Sequence, residues 1–125
     1  MVMAIGGMVG SQASTLIIRA LATNSGGPFR AAFSKEMLVS VAMAAALGIV
    51  AFGNAWILGG SPHTSLVMGI AMAADVVFAA GLGVAVPNLV RALRIDPALI
   101  STPAVTALTD LTGATIFLLV ITMLL

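Results

Sequence analysis

Long apolar runs separated by short polar turns divide this chain into four segments. Each run is about 20 residues or longer, which is the length that an α-helix needs to cross the hydrocarbon core of a bilayer. Clusters of Gly, Pro, Asn, Ser and Asp interrupt the runs near residues 24–28, 59–62 and 96–97. The pattern predicts an all-α, polytopic membrane helical bundle with four transmembrane helices, at about 2–22, 34–59, 64–91 and 101–125.

The composition supports a membrane protein and narrows its chemistry. Hydrophobic residues make up 61% of the 125 residues and charged residues 7%, against about 45–50% and about 25% in soluble domains. Four spans use the whole length, so we expect a single transmembrane domain over 1–125. The chain has no Cys and one His, which excludes disulfides, thiolate metal sites and histidine clusters. Oxygen atoms remain as metal ligands.

The basic residues predict the orientation of the bundle. Arg19, Arg30 and Lys35 surround the first connection, and Arg91 and Arg94 precede the third. Because Lys and Arg are retained on the cytoplasmic side, these two connections should be cytoplasmic and both termini outside, as in a multi-pass protein of the cytoplasmic membrane. A chain that starts outside with an apolar helix is explained by a further helix before residue 1. Five basic residues split between two loops make no nucleic-acid surface.

The last predicted helix has one hydrophilic face. On a helical wheel its polar and small residues fall within an arc of about 100°: Thr102, Thr106, Thr109, Asp110 and Gly113. Hydroxyl groups alone fit ordinary packing between membrane helices. Asp110 favours a functional role, because a carboxylate near the middle of a membrane costs several kcal/mol unless it meets water, a cation or a partner.

The first helix offers a matching face of small residues. Gly7, Gly10, Ser11 and Ser14 share it, and Gln12 and Thr15 lie at its sides. Such a face can pack closely against another helix, or it can present hydroxyl and carbonyl oxygens to a cation. Both interpretations stay open from the residues alone.

Asp75 is a second carboxylate near the middle of a predicted span. It should face protein or water rather than lipid. Two interpretations remain open, namely a place in a cation pathway and a neutral or hydrogen-bonded structural carboxyl.

Three stretches resemble a known family. GSQASTLIIRALAT at 10–23, FSKEM at 33–37 and especially RIDPALISTPAVTALTDLTG at 94–113 are similar to the transmembrane domain of the MgtE magnesium transporters. The resemblance implies five helices per subunit, a homodimer and a pore along the dimer axis. It also implies that Asp110 lies in the ion path, that Gly10 and Gln12 border the pore, and that the protein is not an enzyme.

The chain departs from that family at two points. Met8 stands where the family motif has a pore-side Asn, and Asp75 has no recognised counterpart in the family. The first of the five helices and the cytoplasmic N-terminal and CBS domains are absent from this sequence.

The expected function is therefore divalent-cation transport through a dimer. A partly hydrated Mg²⁺ would be held by two Asp110 carboxylates, with further oxygens from Thr106, Thr109 and Gly113. Mn²⁺ and Co²⁺ are alternative ions. The main rival is a structural membrane subunit that packs through its small residues. An intramembrane aspartyl protease would use Asp75 and Asp110, but its YD and GxGD motifs are missing.

Overall fold

The computed structural model of the protein describes residues 2–23 and 28–125. It has four α-helices, which are α1 (Val2–Ala22), α2 (Pro28–Ile57), α3 (Pro62–Ala92) and α4 (Pro97–Leu124). The prediction of an all-helical chain with four helices is confirmed. The predicted turn over 24–27 and the side chain of Arg30 lie outside the described part.

Two helices begin earlier than the sequence pattern predicts. α2 begins at Pro28 rather than near residue 34, and α4 at Pro97 rather than near 101. In both cases a proline occupies the first helical position, where its missing N–H is no loss and its fixed φ angle already suits a helix. Apolar periodicity marks where a helix enters the hydrocarbon, whereas the prolines mark where it starts.

Within the described residues, three helices are long and apolar enough to cross a membrane. These are the segments Phe33–Ile57, Pro62–Ala92 and Thr102–Leu124. α1 is not among the segments found in this part of the chain. Large apolar side chains such as Leu38 and Ile49 are exposed on the outside of the bundle, as expected for a surface that contacts lipid.

α3 is the central helix and packs against each of the other three. Its contacts with α1 run in the same chain direction, since Gly6 lies against Asp75 and Gly10 against Ala79 and Gly83. α2 and α4 run in the opposite direction. The bundle is therefore an up-and-down arrangement in which α1 and α3 end on the side where α2 and α4 begin, as the positions of the basic residues predict.

Glycine pairs set the closest approaches between helices. A Cβ added at Gly48 would lie 3.0 Å from the Gly69 carbonyl oxygen, and one added at Gly69 would lie 2.9 Å from the Gly48 oxygen. A Cβ at Gly83 would collide with the carbonyl of Gly10. Small residues let membrane helices pack backbone to backbone in this way.

The two described connections are tight. Gly59 has a φ of +87°, a conformation that glycine adopts without strain. Ser61 then caps α3, and its side chain accepts a hydrogen bond of 3.1 Å from the Thr64 N–H. At the other end, Arg94 adopts a φ of 61° directly before the short link to α4.

Candidate cation site

A groove lined by both polar and apolar residues lies on the outside of the bundle between α1 and α4. Its volume is about 540 Å³. Its walls are formed by Met8 and by small or polar residues, which are Ala4, Gly7, Ser11, Gln12 and Thr15 from α1, and Thr106 and Asp110 from α4. The groove therefore joins the two hydrophilic faces that the sequence predicts for these helices.

Asp110 is the acidic group of the groove. The residue is partly exposed, and its carboxylate lies over Gly7, where an added Cβ would be 3.0 Å from Oδ1. The absence of a side chain at residue 7 makes room for the carboxylate against α1. Its oxygens are thus held at the groove wall while remaining accessible from the open side.

Two hydroxyl groups in the groove are oriented by their own helices. Thr106 Oγ1 donates to the Thr102 carbonyl at 3.0 Å, and Thr15 Oγ1 donates to the Ser11 carbonyl at 2.9 Å. Because the protons of these two hydroxyl groups are already used, only their oxygen lone pairs remain for a ligand. Together with the Gln12 amide, the groove offers acceptor atoms suited to a hard, hydrated cation.

Four of the predicted site residues lie outside the groove, namely Thr109, Gly10, Gly113 and Asp75. Thr109 is buried and donates to the carbonyls of Val105 and Thr106, at 2.9 and 3.0 Å. A Cβ added at Gly10 would lie only 2.7 Å from the methyl group of Thr109. Gly10 is itself buried at the crossing of α1, α3 and α4. Both residues act as packing groups in one copy of the chain.

Gly113 and Asp75 contact each other in the interior. A Cβ at Gly113 would lie 2.5 Å from Asp75 Oδ1, and one at Gly6 would lie 2.9 Å from Asp75 Oδ2. Asp75 is 1% exposed. The structure therefore places Asp75 between α1 and α4 but outside the groove lining, next to Gly6, whereas Asp110 lies next to Gly7.

Three residues of this region were not predicted from the sequence. Ala4 and Met8 line the groove, and Gly6 forms one wall around Asp75. Met8 was recognised only as a departure from a motif. The consecutive glycines at 6 and 7 were the available signal, since a Gly-Gly pair in a helix allows close approach on two neighbouring faces.

One copy of the chain supplies few charges for a metal ion. Within the described residues, no group of three or more His, Cys, Asp or Glu side chains is placed to hold a metal. Asp110 is the acidic residue among those lining the groove. One carboxylate would neutralise only one of the two positive charges of a bound dication. A second carboxylate would be needed to balance the charge of the ion.

Fold and groove together define a multi-pass helical membrane protein with an acidic, oxygen-lined site between two helices. The model of the MgtE family, described as a divalent cation transporter, matches residues 1–120. The chain belongs to this family, which is a family of transporters and not of enzymes. It is 40% identical over 122 residues to the magnesium transporter MgtE of Thermus thermophilus. That match covers 96% of this chain and 27% of the relative, so the chain spans about a quarter of the relative's length.

Proposed function

We propose that this chain forms the ion-conducting part of a magnesium transporter, with Asp110 as its principal cation ligand. The observation that carries the proposal is the position of the Asp110 carboxylate in an oxygen-lined groove between two membrane helices. Membership of a divalent cation transporter family supports the same conclusion. The proposed transported ion is Mg²⁺, because the Thermus relative is named a magnesium transporter.

The groove supports a homodimer as the working unit. Gln12 is exposed and Asp110 partly so on the outer surface of the bundle, where a single copy would present them to lipid. A lipid-facing carboxylate is costly. Two copies facing each other across a two-fold axis would cover both grooves and bring two Asp110 side chains to one pore.

The chemistry of Mg²⁺ fits such a pore. The ion gives up its water reluctantly, so a pore can hold it with several waters retained and few direct protein ligands. Two Asp110 carboxylates would balance its charge, while Thr106 and Gln12 would accept hydrogen bonds from the remaining waters. Asp110, Thr106 and Gln12 would surround the hydrated ion. Gly10, Thr109 and Gly113 would pack the helices that carry these side chains.

The orientation follows from the arrangement of charges. Arg91 and Arg94 lie at the side shared by the first and third connections, which is therefore cytoplasmic. The groove lies on α1 and α4 within the membrane, and the protein is a multi-pass protein of the cytoplasmic membrane.

A flux assay tests the proposal against a purely structural subunit. The rival is favoured by the glycine contacts between Gly10 and Gly83 and between Gly48 and Gly69, which are ordinary packing devices. Liposomes containing the protein and a Mg²⁺-sensitive dye should show Mg²⁺ entry above that of protein-free liposomes. Entry equal to the protein-free control would favour the structural role.

A further inference from the structure

Asp75 is a buried carboxylate whose oxygens have no hydrogen-bond partner among the described residues. It is 1% exposed, and neither Oδ1 nor Oδ2 receives a hydrogen bond there. Buried charged groups are normally paired, because the cost of removing an ion from water is otherwise uncompensated. The absence of a protein partner for this group requires an explanation.

The slot around Asp75 is built by the two helices that also build the groove. Added Cβ atoms at Gly6 and Gly113 would lie 2.9 and 2.5 Å from its oxygens, so any side chain at either position would fill the slot. Gly6 precedes the groove residue Gly7, and Gly113 is about one helical turn beyond Asp110. The two carboxylates thus contact consecutive residues of α1, Asp75 at Gly6 and Asp110 at Gly7.

No basic side chain of the described part is placed to neutralise Asp75. Arg19 is thirteen residues beyond Gly6 on α1, which is about 20 Å along the helix. Arg91 is sixteen residues from Asp75 on α3, about 24 Å away along that helix. Lys35 is exposed near the cytoplasmic end of α2. On α4, the charged neighbour of the slot is Asp110, which has the same sign.

We infer that Asp75 is a second carboxylate of the cation site, one that attracts the ion in the groove without touching it. The cation in the groove balances the negative charge of Asp75. In return, Asp75 raises the affinity of the groove for multiply charged ions. This inference rests on the proposed function, since it requires a cation beside Asp110. It assigns Asp75 a role in specificity and not in coordination.

The physical basis is the weak screening inside the bundle. A charge interacts with an ion in proportion to the charge of that ion, and the interaction is stronger in a medium of low dielectric constant than in water. Asp75 is shielded from solvent, so added salt should weaken its effect little. Its contribution should therefore grow with the charge of the bound ion, which is the property of a filter for divalent over monovalent cations.

Asp75→Asn is the decisive variant, because it keeps the shape of the side chain and removes the charge. Binding is measured by titration calorimetry on the purified protein with two probes, Mg²⁺ and hexaamminecobalt(III), a trivalent complex of the size of a hydrated ion. We expect Mg²⁺ affinity to fall about tenfold, equivalent to about 1.4 kcal/mol. Affinity for the trivalent probe should then fall about thirtyfold, because the loss in free energy scales with the ion's charge.

Asp96→Asn is the matched control. It removes the same charge from the exposed link between α3 and α4, outside the bundle, and should change either affinity less than twofold. Thermal unfolding of each variant in detergent checks that the fold is retained. If Asp75→Asn unfolds, Asp75→Ser provides a smaller neutral side chain for the same comparison.

The outcomes separate this inference from the proposed function. Unchanged affinity in Asp75→Asn, with affinity lost in Asp110→Asn, would overturn the role of Asp75 and leave the Asp110 site in place. Equal losses for the divalent and trivalent probes would show that Asp75 acts only by shaping the slot, and would also overturn it. Unchanged affinity in both variants would remove the proposed site itself.

Discussion

The carboxylate of Asp110 lies directly against the backbone of Gly7, so that a Cβ at residue 7 would be 3.0 Å from Oδ1. This contact joins α4 to α1 at the groove and places the acid where both helices can contribute oxygens. A small residue at position 7 is therefore part of the site, although it has no side chain of its own.

Gly7→Ala should weaken cation binding while preserving the fold. The added methyl group must displace the Asp110 carboxylate by a few tenths of an ångström, and misplacement of a ligand by about 0.5 Å is enough to impair a site. Helix propensity itself favours alanine by about 1 kcal/mol. We expect the Mg²⁺ affinity, measured by titration calorimetry, to fall about threefold, because the Asp110 carboxylate is displaced.

Gly53→Ala is the control for that substitution. It adds the same methyl group to α2 at a position where no atom lies within 4 Å, so binding should be unchanged. Equal affinity in Gly7→Ala and the wild type would show that the contact between Gly7 and Asp110 does not position the ligand.

Gly83→Ala should destabilise the bundle. Its methyl group would collide with the Gly10 carbonyl and lie 2.7 Å from Ala13 Cβ, which forces α1 away from α3. Overpacking of this kind costs about 1–3 kcal/mol. Gly81→Ala is a matched control two residues earlier on the same helix, since nothing lies within 4 Å of its added Cβ. Thermal unfolding in detergent should show a lower midpoint for Gly83→Ala alone, and equal midpoints would contradict the close crossing.

Cross-linking tests the proposed two-fold arrangement. Met8 lines the groove and is 72% exposed, so it should face the partner copy near the dimer axis. Leu38 on α2 is equally exposed, at 72%, but lies away from the groove. The chain has no native Cys, so Met8→Cys should give a disulfide-linked dimer in membranes and Leu38→Cys should not. Cross-linking through Leu38→Cys alone would place the interface on another face.

Thiol labelling tests the orientation of the bundle. Ser61→Cys lies in the connection between α2 and α3 and should react with an impermeant reagent added outside intact cells. Leu93→Cys, in the connection between α3 and α4, should react only after the membrane is opened. The reverse pattern would invert the topology and overturn the assignment of the cytoplasmic side.

The groove could be predicted from the sequence because it depends on local helical spacing. The hydrophilic faces of α1 and α4 follow from positions such as Ser11, Gln12, Thr106 and Asp110, and the structure brings these four together. Thr109 shows the limit of that reasoning. It shares the predicted arc with Asp110, but it packs against Gly10, because the rotation of each helix is decided by its contacts with α3.

The surroundings of Asp75 could not be predicted, because they come from three helices that are distant in sequence. Gly6 and Gly113 are more than one hundred residues apart, and each encloses Asp75 only because α3 holds both helices. The early starts of α2 and α4 were missed for a simpler reason. Proline was interpreted as a turn former at residues 28 and 97, whereas it occupies the first position of each helix.

The central claim is that Asp110 is the ion site, and Asp110→Asn tests it most directly. The substitution keeps size and hydrogen-bonding capacity but removes one charge from each copy, hence two from a dimeric site. The fold should survive, as checked by thermal unfolding. Asp110→Ala should behave like Asp110→Asn, whereas Asp110→Glu should still bind the ion but narrow the path and slow its passage.

The measurement combines Mg²⁺ titration calorimetry with dye-detected Mg²⁺ entry into liposomes, for the wild type and for Asp110→Asn. We expect affinity to fall at least about tenfold, because a loss of about 1.4 kcal/mol already produces that change, and we expect Mg²⁺ entry to fall with it. Wild-type affinity together with wild-type Mg²⁺ entry in Asp110→Asn would contradict the assignment of this aspartate as the ion site.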